Sequence, residues 1–381
     1  MDSTTNHTKS TSSVRKELKM NTINRRKIPR PFNRHSHARK LPILIPLVHL
    51  ASGLYRSAVF MGNTIPPITT GDEAMEYANL INHHKSPGLF TPIFTIMMVN
   101  KTDVQTVQHA YQKGVLILKL IPGGASTNST EGNNPNDGVS LWDLESYYPV
   151  LRACAQMGMV FSGHWELPAE KNGDPIPEIK REKRAIPFLQ KLIEAIPELQ
   201  IIVEHASTAE MIELVKNASA NVTATLTPHH ALYTYNDVMN GKGEVINPGL
   251  FCKPVLKTSR DVLEVRAAMV GGNKKFGFGD DCAWHPADKK TGENPAAGIF
   301  SPFSIQIIAN LFDQTASLDN LSTFLSTNNL DIYGLEPTDE TTTLIREPWT
   351  LPTDWNGTPI LMGGEQINWQ IEGWNWQDYL N

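Results

Sequence analysis

Cysteine is scarce in this chain: among 381 residues only Cys154, Cys252 and Cys282 carry a thiol. Three is an odd number and none belongs to a CxxC pair, so neither a disulfide framework nor a zinc finger is expected. Such usage fits a reducing, cytoplasmic setting. Long apolar runs are missing as well. The longest, residues 41–50, is interrupted by Pro42, Pro46 and His49 and falls short of the roughly 18 residues that span a bilayer, so no membrane partner is expected. Neither sign of charge dominates: 34 basic residues face 39 acidic ones, for a net charge of −5. Nucleic acid is therefore not expected as a partner. Acidic residues are nearly absent from residues 1–27, where only Asp2 and Glu17 stand among Ser, Thr, Asn, Lys and Arg. Lacking an apolar core, this segment is no secretory signal and reads as a disordered tail. An organellar transit peptide is the alternative, in which case Met20 serves equally well as a start of translation.

With 40% hydrophobic and 19% charged residues, the rest has the composition of a globular protein with a large core. Short apolar runs alternate with amphipathic ones, the pattern of strand and helix units around a parallel sheet. Strands are expected over residues 57–62, 91–99, 115–121, 159–163, 200–204, 222–226 and 276–279. Between them, Ala74, Tyr77, Ala78 and Ile81 share a helix face, as do Leu189, Leu192, Ile193 and Ile196. Residues 28–35 supply an eighth strand, despite Pro29 and Pro31, because eight strands close a (β/α)₈ TIM barrel. Residues 28–340 are thus expected to form the barrel, with 321–330 as a closing helix. Residues 341–381, rich in Trp, Pro and Gly without a clear period, form a C-terminal wrap.

Chemistry enters with His35-Ser36-His37. Residues two apart on an extended chain project from one face, so both imidazoles can reach one metal ion. Lys119, His164, His205 and Asp281 each sit at or near the C-terminal end of an expected strand, where barrels of this type build their active sites. Lys119 lies within Val115-Leu116-Ile117-Leu118-Lys119-Leu120-Ile121, where an uncompensated ammonium is costly to bury. Either it snorkels or pairs with a carboxylate, or its amine has reacted with carbon dioxide to give an anionic carbamate that can bridge two metals. His49, in a proline-punctuated loop, His83, His84 and His109 are read as packed or solvated. His229 and His230 could stand behind the ligands, and Glu166 and Glu204 are plausible orienting carboxylates for imidazoles.

In this order and on these strands, the set HxHxR, Lys, His, His and Asp resembles the amidohydrolase superfamily. The neighbouring words resemble its single-domain dihydroorotases over about residues 28–334. They are Asn63-Thr64-Ile65-Pro66-Pro67-Ile68-Thr69-Thr70, Lys119-Leu120-Ile121-Pro122 with Ser126-Thr127-Asn128-Ser129, His164-Trp165-Glu166, Glu204-His205, Leu226-Thr227-Pro228-His229-His230, Phe251-Cys252-Lys253-Pro254 and Asp281-Cys282-Ala283-Trp284-His285. The resemblance implies two Zn²⁺ per subunit: His35, His37 and Asp281 hold one, His164 and His205 the other, and N6-carboxylated Lys119 bridges them. A hydroxide between the metals would open the ring of L-dihydroorotate reversibly to N-carbamoyl-L-aspartate, with Asp281 as general acid and base. Arg39, Asn63 and His285 would hold the substrate carboxylate, backbone groups at Lys253 and Ala297 the ring, and Ser126 and Thr127 a loop that closes over it. A homodimer is implied as well.

Departures from the family pattern cluster near the ligands. Asn33 stands where Asp is common, Ser36 and Ala38 replace larger apolar residues, and Lys40 replaces an acidic residue. Asp280 replaces a hydroxyl residue, Trp165 a small residue and Trp284 a proline, so a narrower pocket is expected. The rival readings are a hydantoin or dihydropyrimidine ring as substrate, and a non-catalytic paralogue. Arg39 argues against the first, since an uncharged ring would leave a buried guanidinium unpaired. The retained ligands argue against the second.

Overall fold

The computed structural model describes residues 24–126 and 138–380. Eight parallel strands run in strict sequence order, β2 (Phe32–Ser36), β3 (Ser57–Phe60), β4 (Thr91–Met97), β5 (Ile117–Leu120), β6 (Val160–Gly163), β7 (Gln200–Val203), β8 (Val222–Leu226) and β9 (Phe276–Phe278). The sheet closes between its first and last strands: Ser36 bridges Cys282, and the Asp281 amide donates to the His35 carbonyl at 3.0 Å. Gly279 makes that seam possible, because a Cβ there would lie 2.9 Å from the Cβ of His35. The fold is a (β/α)₈ barrel.

Alternation along the strands sorts the interior into layers. Val59, Ile117, Val160 and Ile202 pack together at the N-terminal end, plugged by Leu330 and Tyr333. One step on, Lys119, Ser162, Glu204 and Thr225 form a buried polar layer. His35, His164, His205 and Asp281 follow at the C-terminal rim. Outside, helices cover the sheet with the faces expected: Ala74, Tyr77, Ala78 and Ile81 are buried on Gly71–His84, whose N-terminus is closed by a Thr70–Glu73 capping box. Leu189 and Leu192 are buried on Glu178–Ala195. No helix of the described residues is long and apolar enough to cross a membrane.

Three expectations are corrected. The single strand placed over residues 28–35 is two. Arg25–Pro29 forms β1, which pairs antiparallel with β10 (Thr341–Thr350) outside the barrel, and the barrel strand begins at Phe32. Proline supplies no N–H to a ladder, and Pro29 and Pro31 flank the turn between the two. Residues 25–27, assigned to the tail, therefore belong to a sheet. The closing helix expected over 321–330 is shorter, covering 321–327 with a π-helical turn at Thr323–Thr327, and Asn328 just past it reaches the barrel floor: it donates to Phe276 O at 2.7 Å and accepts from the buried Arg34 guanidinium. His49 lies in a helix, Leu44–Leu54, since Pro46 falls in the first turn, where no N–H is required. In the C-terminal segment β10 also pairs with β13 (Gln366–Ile371), and β11 (Asp354–Trp355) and β12 (Thr358–Pro359) form a small ribbon.

Candidate active site

Each proposed ligand stands where a strand ends. His35 closes β2, with His37 two residues on. Lys119 is within β5, His164 follows β6, His205 follows β7, and Asp281 follows β9. Arg39, His205 and Asp281 hold positive φ of 62°, 39° and 45°. Such backbone conformations are unfavourable for residues with a Cβ and persist where the surroundings hold them, as at functional sites.

Hydrogen bonding decides which imidazole atoms face the centre. His35 Nδ1 lies 2.7 Å from Glu204, whose carboxylate also accepts from Thr225 Oγ1 at 2.7 Å and from Ser162 Oγ. With its proton on Nδ1, His35 turns a bare Nε2 toward Asp281 Oδ1, 3.4 Å away. His37 Nε2 lies 3.0 Å from the same oxygen. His164 gives its Nε2 proton to Glu166 at 2.8 Å, leaving Nδ1 as a lone pair 3.2 Å from His205 Nε2. Imidazole and carboxylate atoms thus meet in two places, where each close pair can share a proton or turn its lone pairs to a cation. One ligand atom each of His35, His205 and Asp281 lies within 4.8 Å of the others.

Lys119 completes the set. Its Nζ is buried without a hydrogen-bond partner, and the His205 Nδ1 is likewise without one. Burial pulls the Lys119 ammonium down to about 8, against the pull of Glu204 and Asp281. The snorkelling or paired lysine considered from sequence is therefore not what the fold holds. A buried amine whose surroundings disfavour its charge, set among imidazole and carboxylate groups, fits carbamate formation and a bridged metal pair. Burial alone would raise the Glu204 carboxyl, but His35 and Lys119 outweigh it and hold it at about 2. Burial works against the Asp281 carboxylate in the same way, and His35 and His37 keep it well below the usual carboxylate range.

At the mouth, a cleft of about 720 Å³ is lined by Arg39, Lys40, Ile65, Trp284 and His285. Arg39 Nη2 lies 2.9 Å from His285 Nε2, and Arg39 Nε donates to Trp284 O at 3.1 Å. His285 Nε2 also lies 3.0 Å from Ala297 O. One nitrogen cannot accept from Arg39 and donate to Ala297 together, so a carboxylate that takes up Arg39 frees His285 to serve Ala297. Asn63 is buried just beyond β3, and the Lys253 ammonium pairs with Glu178. Ser126 is half-buried, and Thr127 lies outside the described residues.

Two expectations about bulk divide here. Trp165, expected to narrow the pocket, is 1% exposed and packs edge-on against Phe161 in the outer core, with its Nε1 folded back over Gly163. Trp284 does line the mouth. Two departures also meet: Asn33 Oδ1 accepts from the Asp280 amide at 3.0 Å, while Asp280 Oδ2 accepts from Tyr55 Oη at 2.9 Å. The seam keeps a buried carboxylate, on β9's side of it. His230 has both nitrogens engaged, by Thr227 Oγ1 at 2.7 Å and Pro254 O at 2.9 Å, and is structural. Sequence reasoning missed Lys257, buried 3.8 Å from Glu166, and Lys290. For Lys257 the signal was present, a lysine closing the apolar run Val255-Leu256.

A (β/α)₈ barrel with HxH at the end of its first strand, Lys on the fourth, His after the fifth and sixth and Asp after the eighth defines a metal-dependent hydrolase of the amidohydrolase type. No family model matches the chain. Its relatives are informative. A dihydroorotase of Marinobacter nauticus is 35% identical over 354 residues, which are 90% of this chain and 98% of that protein. Among solved structures, the Saccharomyces cerevisiae dihydroorotase in complex with 5-fluoroorotic acid superposes with a TM-score of 0.83 at 27% identity, covering 92% of this chain and 99% of that one. The Campylobacter jejuni dihydroorotase gives 0.79 at 31% identity, over 92% and 98%. An Arthrobacter aurescens L-hydantoinase, at 16% identity, shares the fold. The chain belongs to the dihydroorotase family, hydrolases of a cyclic amide bond.

Proposed function

We propose that this protein hydrolyses L-dihydroorotate reversibly to N-carbamoyl-L-aspartate in pyrimidine biosynthesis, with two Zn²⁺ bridged by N6-carboxylated Lys119. The observation that carries this reading is the buried, partnerless Lys119 Nζ in the layer beneath two clusters of close imidazole and carboxylate atoms. His35, His37 and Asp281 would hold one metal, His164 and His205 the other. Divalent metal held there supplies Lewis acidity to the amide carbonyl and makes a bound water acidic enough to react near neutral pH.

The chain's own residues do the rest. The Lys119 ammonium first gives up a proton, which burial favours; the free amine would then attack carbon dioxide, forming a C–N bond and releasing a second proton, and the carbamate carries the negative charge the ligand set needs. Glu204 and Glu166 fix the protonated nitrogens of His35 and His164, so that their lone pairs point inward. Asp281 takes the proton from the attacking water and passes it to the ring nitrogen as the amide C–N bond breaks. Arg39 holds the substrate carboxylate, and Asn63 and His285 flank it. Backbone groups at Lys253 and Ala297 hold the ring, and Ser126 and Thr127 close the loop over it. The 5-fluoroorotic acid in the yeast structure, itself a ring acid, supports an anionic ligand. Cytoplasmic location and a homodimer belong to the same reading, and sedimentation at micromolar concentration tests the dimer.

The decisive experiment is ring opening of L-dihydroorotate by zinc-loaded protein, followed as loss of ultraviolet absorbance. Turnover is expected, and Asp281→Ala is expected to reduce it about 10³-fold. Metal-loaded protein without turnover would overturn the substrate assignment.

A further inference from the structure

Lys290 is a buried cation that the mechanism above leaves without a task. It follows a short turn, Ala287–Lys289, and only 5% of it is exposed. Among the described residues no carboxylate lies within 4.0 Å of its Nζ. All three ammonium protons go to backbone carbonyls: Phe251 O at 3.1 Å, Ala296 O at 2.9 Å and Gly298 O at 2.7 Å. Those carbonyls lie on two segments far apart in sequence, which a further bond joins, Gly298 N to Phe251 O at 3.0 Å. Between Ala296 and Gly298 lies Ala297, whose carbonyl faces His285, and His285 in turn touches Arg39.

Burying an ammonium against dipoles alone is expensive, and burial pulls this one down to about 8. Neutral donors would tie the same two segments at lower cost. A full charge is useful where the ligand is an anion, and the Lys290 charge reaches the cleft: together with Arg39 it acts on His285, whose proton burial and these two cations oppose. Charge-assisted bonds to three carbonyls also fix the wall more rigidly than neutral ones.

We propose that Lys290 is a positioning residue for the anionic substrate. Its ammonium pins residues 296–298 to Phe251 as one wall of the cleft and adds positive potential behind the Arg39–His285 pair. The inference rests on the functional reading above. It implicates substrate binding and leaves the metal ligands untouched.

The test compares zinc-loaded wild type and Lys290→Met with L-dihydroorotate. A rise in KM of about tenfold is expected, with kcat within about threefold, as for loss of uniform binding. Bound metal per chain should be unchanged. An unaltered KM, or a fall in kcat that tracks lost metal, would overturn the assignment. A wild type that does not open the ring overturns the functional reading, and this inference with it. A working wild type beside an unaltered variant overturns the inference alone. Should Lys290→Met not fold, hydrogen exchange of wild type with 5-fluoroorotic acid decides. Joint slowing of the amides of Phe251 and residues 296–298 supports the shared wall, and slowing of one segment or neither refutes it.

Discussion

The proposed metal bridge rests on one side chain, Lys119. Its Nζ has no partner because the surrounding oxygens are already engaged: Glu204 serves His35, Ser162 and Thr225, and Asp281 serves His37. Lys119→Ala is expected to lose both bound metal, measured by elemental analysis, and nearly all turnover. Short carboxylic acids should restore part of that turnover without carbon dioxide. Wild-type activity in this variant would refute the bridge. Arg39 is proposed to act at the other end of the substrate. Removing one charge-assisted contact forfeits about 2–3 kcal/mol, so Arg39→Met should raise KM roughly 30- to 150-fold with metal content intact. An unaltered affinity for L-dihydroorotate would remove Arg39 from the carboxylate-binding role.

Strand β1 shows how an element outside the barrel supports it. Ile28 is fully buried between β10 and the barrel, and Arg30, just after β1, donates through its backbone to Glu340 O at 2.8 Å. The chain then enters β2, which carries His35. Ile28→Ala is expected to reduce stability to denaturant by about 2–5 kcal/mol, the range for a buried aliphatic truncation, while KM and metal content stay unchanged. A loss of metal in the folded variant would show that β1 sets the ligand geometry as well. Of the helices, the two with clear apolar faces were legible from spacing. The closing helix was legible too, but its π-helical turn at 323–327 and early end were not, because contacts with Arg34 and the barrel floor fix them and periodicity carries no record of those contacts.

At the scale of the whole molecule, buried cations govern the response to pH. Burial draws Lys119, Lys253 and Lys290 each from 10.5 to about 8. Between those values the unfolded chain binds more protons than the folded one, so folding stability rises with pH in this window. Burial also holds the Cys154, Cys252 and Cys282 thiols above their usual 9.0. Above that pH the unfolded thiols ionise first and oppose the gain. Metal-free protein is therefore expected to gain Tm from pH 8 to 9 and then to level off, by calorimetry across buffers matched in ionic strength. Lys119→Met should make the rise shallower. A Tm that falls between pH 8 and 9 would contradict this burial of cations.

What the sequence determined by itself was the barrel and the polar residues at the ends of its strands. Strand ends are local, and a polar residue closing an apolar run marks itself, as His164, His205 and Asp281 did. An HxH pair is legible for the same reason, since two residues on an extended chain share a face. Tertiary structure alone decided which His35 nitrogen faces inward, because Glu204 reaches it from another strand, whereas Glu166 meets His164 two residues away. It placed Trp165 in the outer core and Trp284 at the cleft, a difference that residue type does not contain. It divided residues 28–35 between two sheets, since the partner of β1 lies more than three hundred residues away at Thr341–Thr350. It also gathered the carbonyls of Phe251, Ala296 and Gly298 around Lys290, a contact that exists only once the barrel rim is assembled.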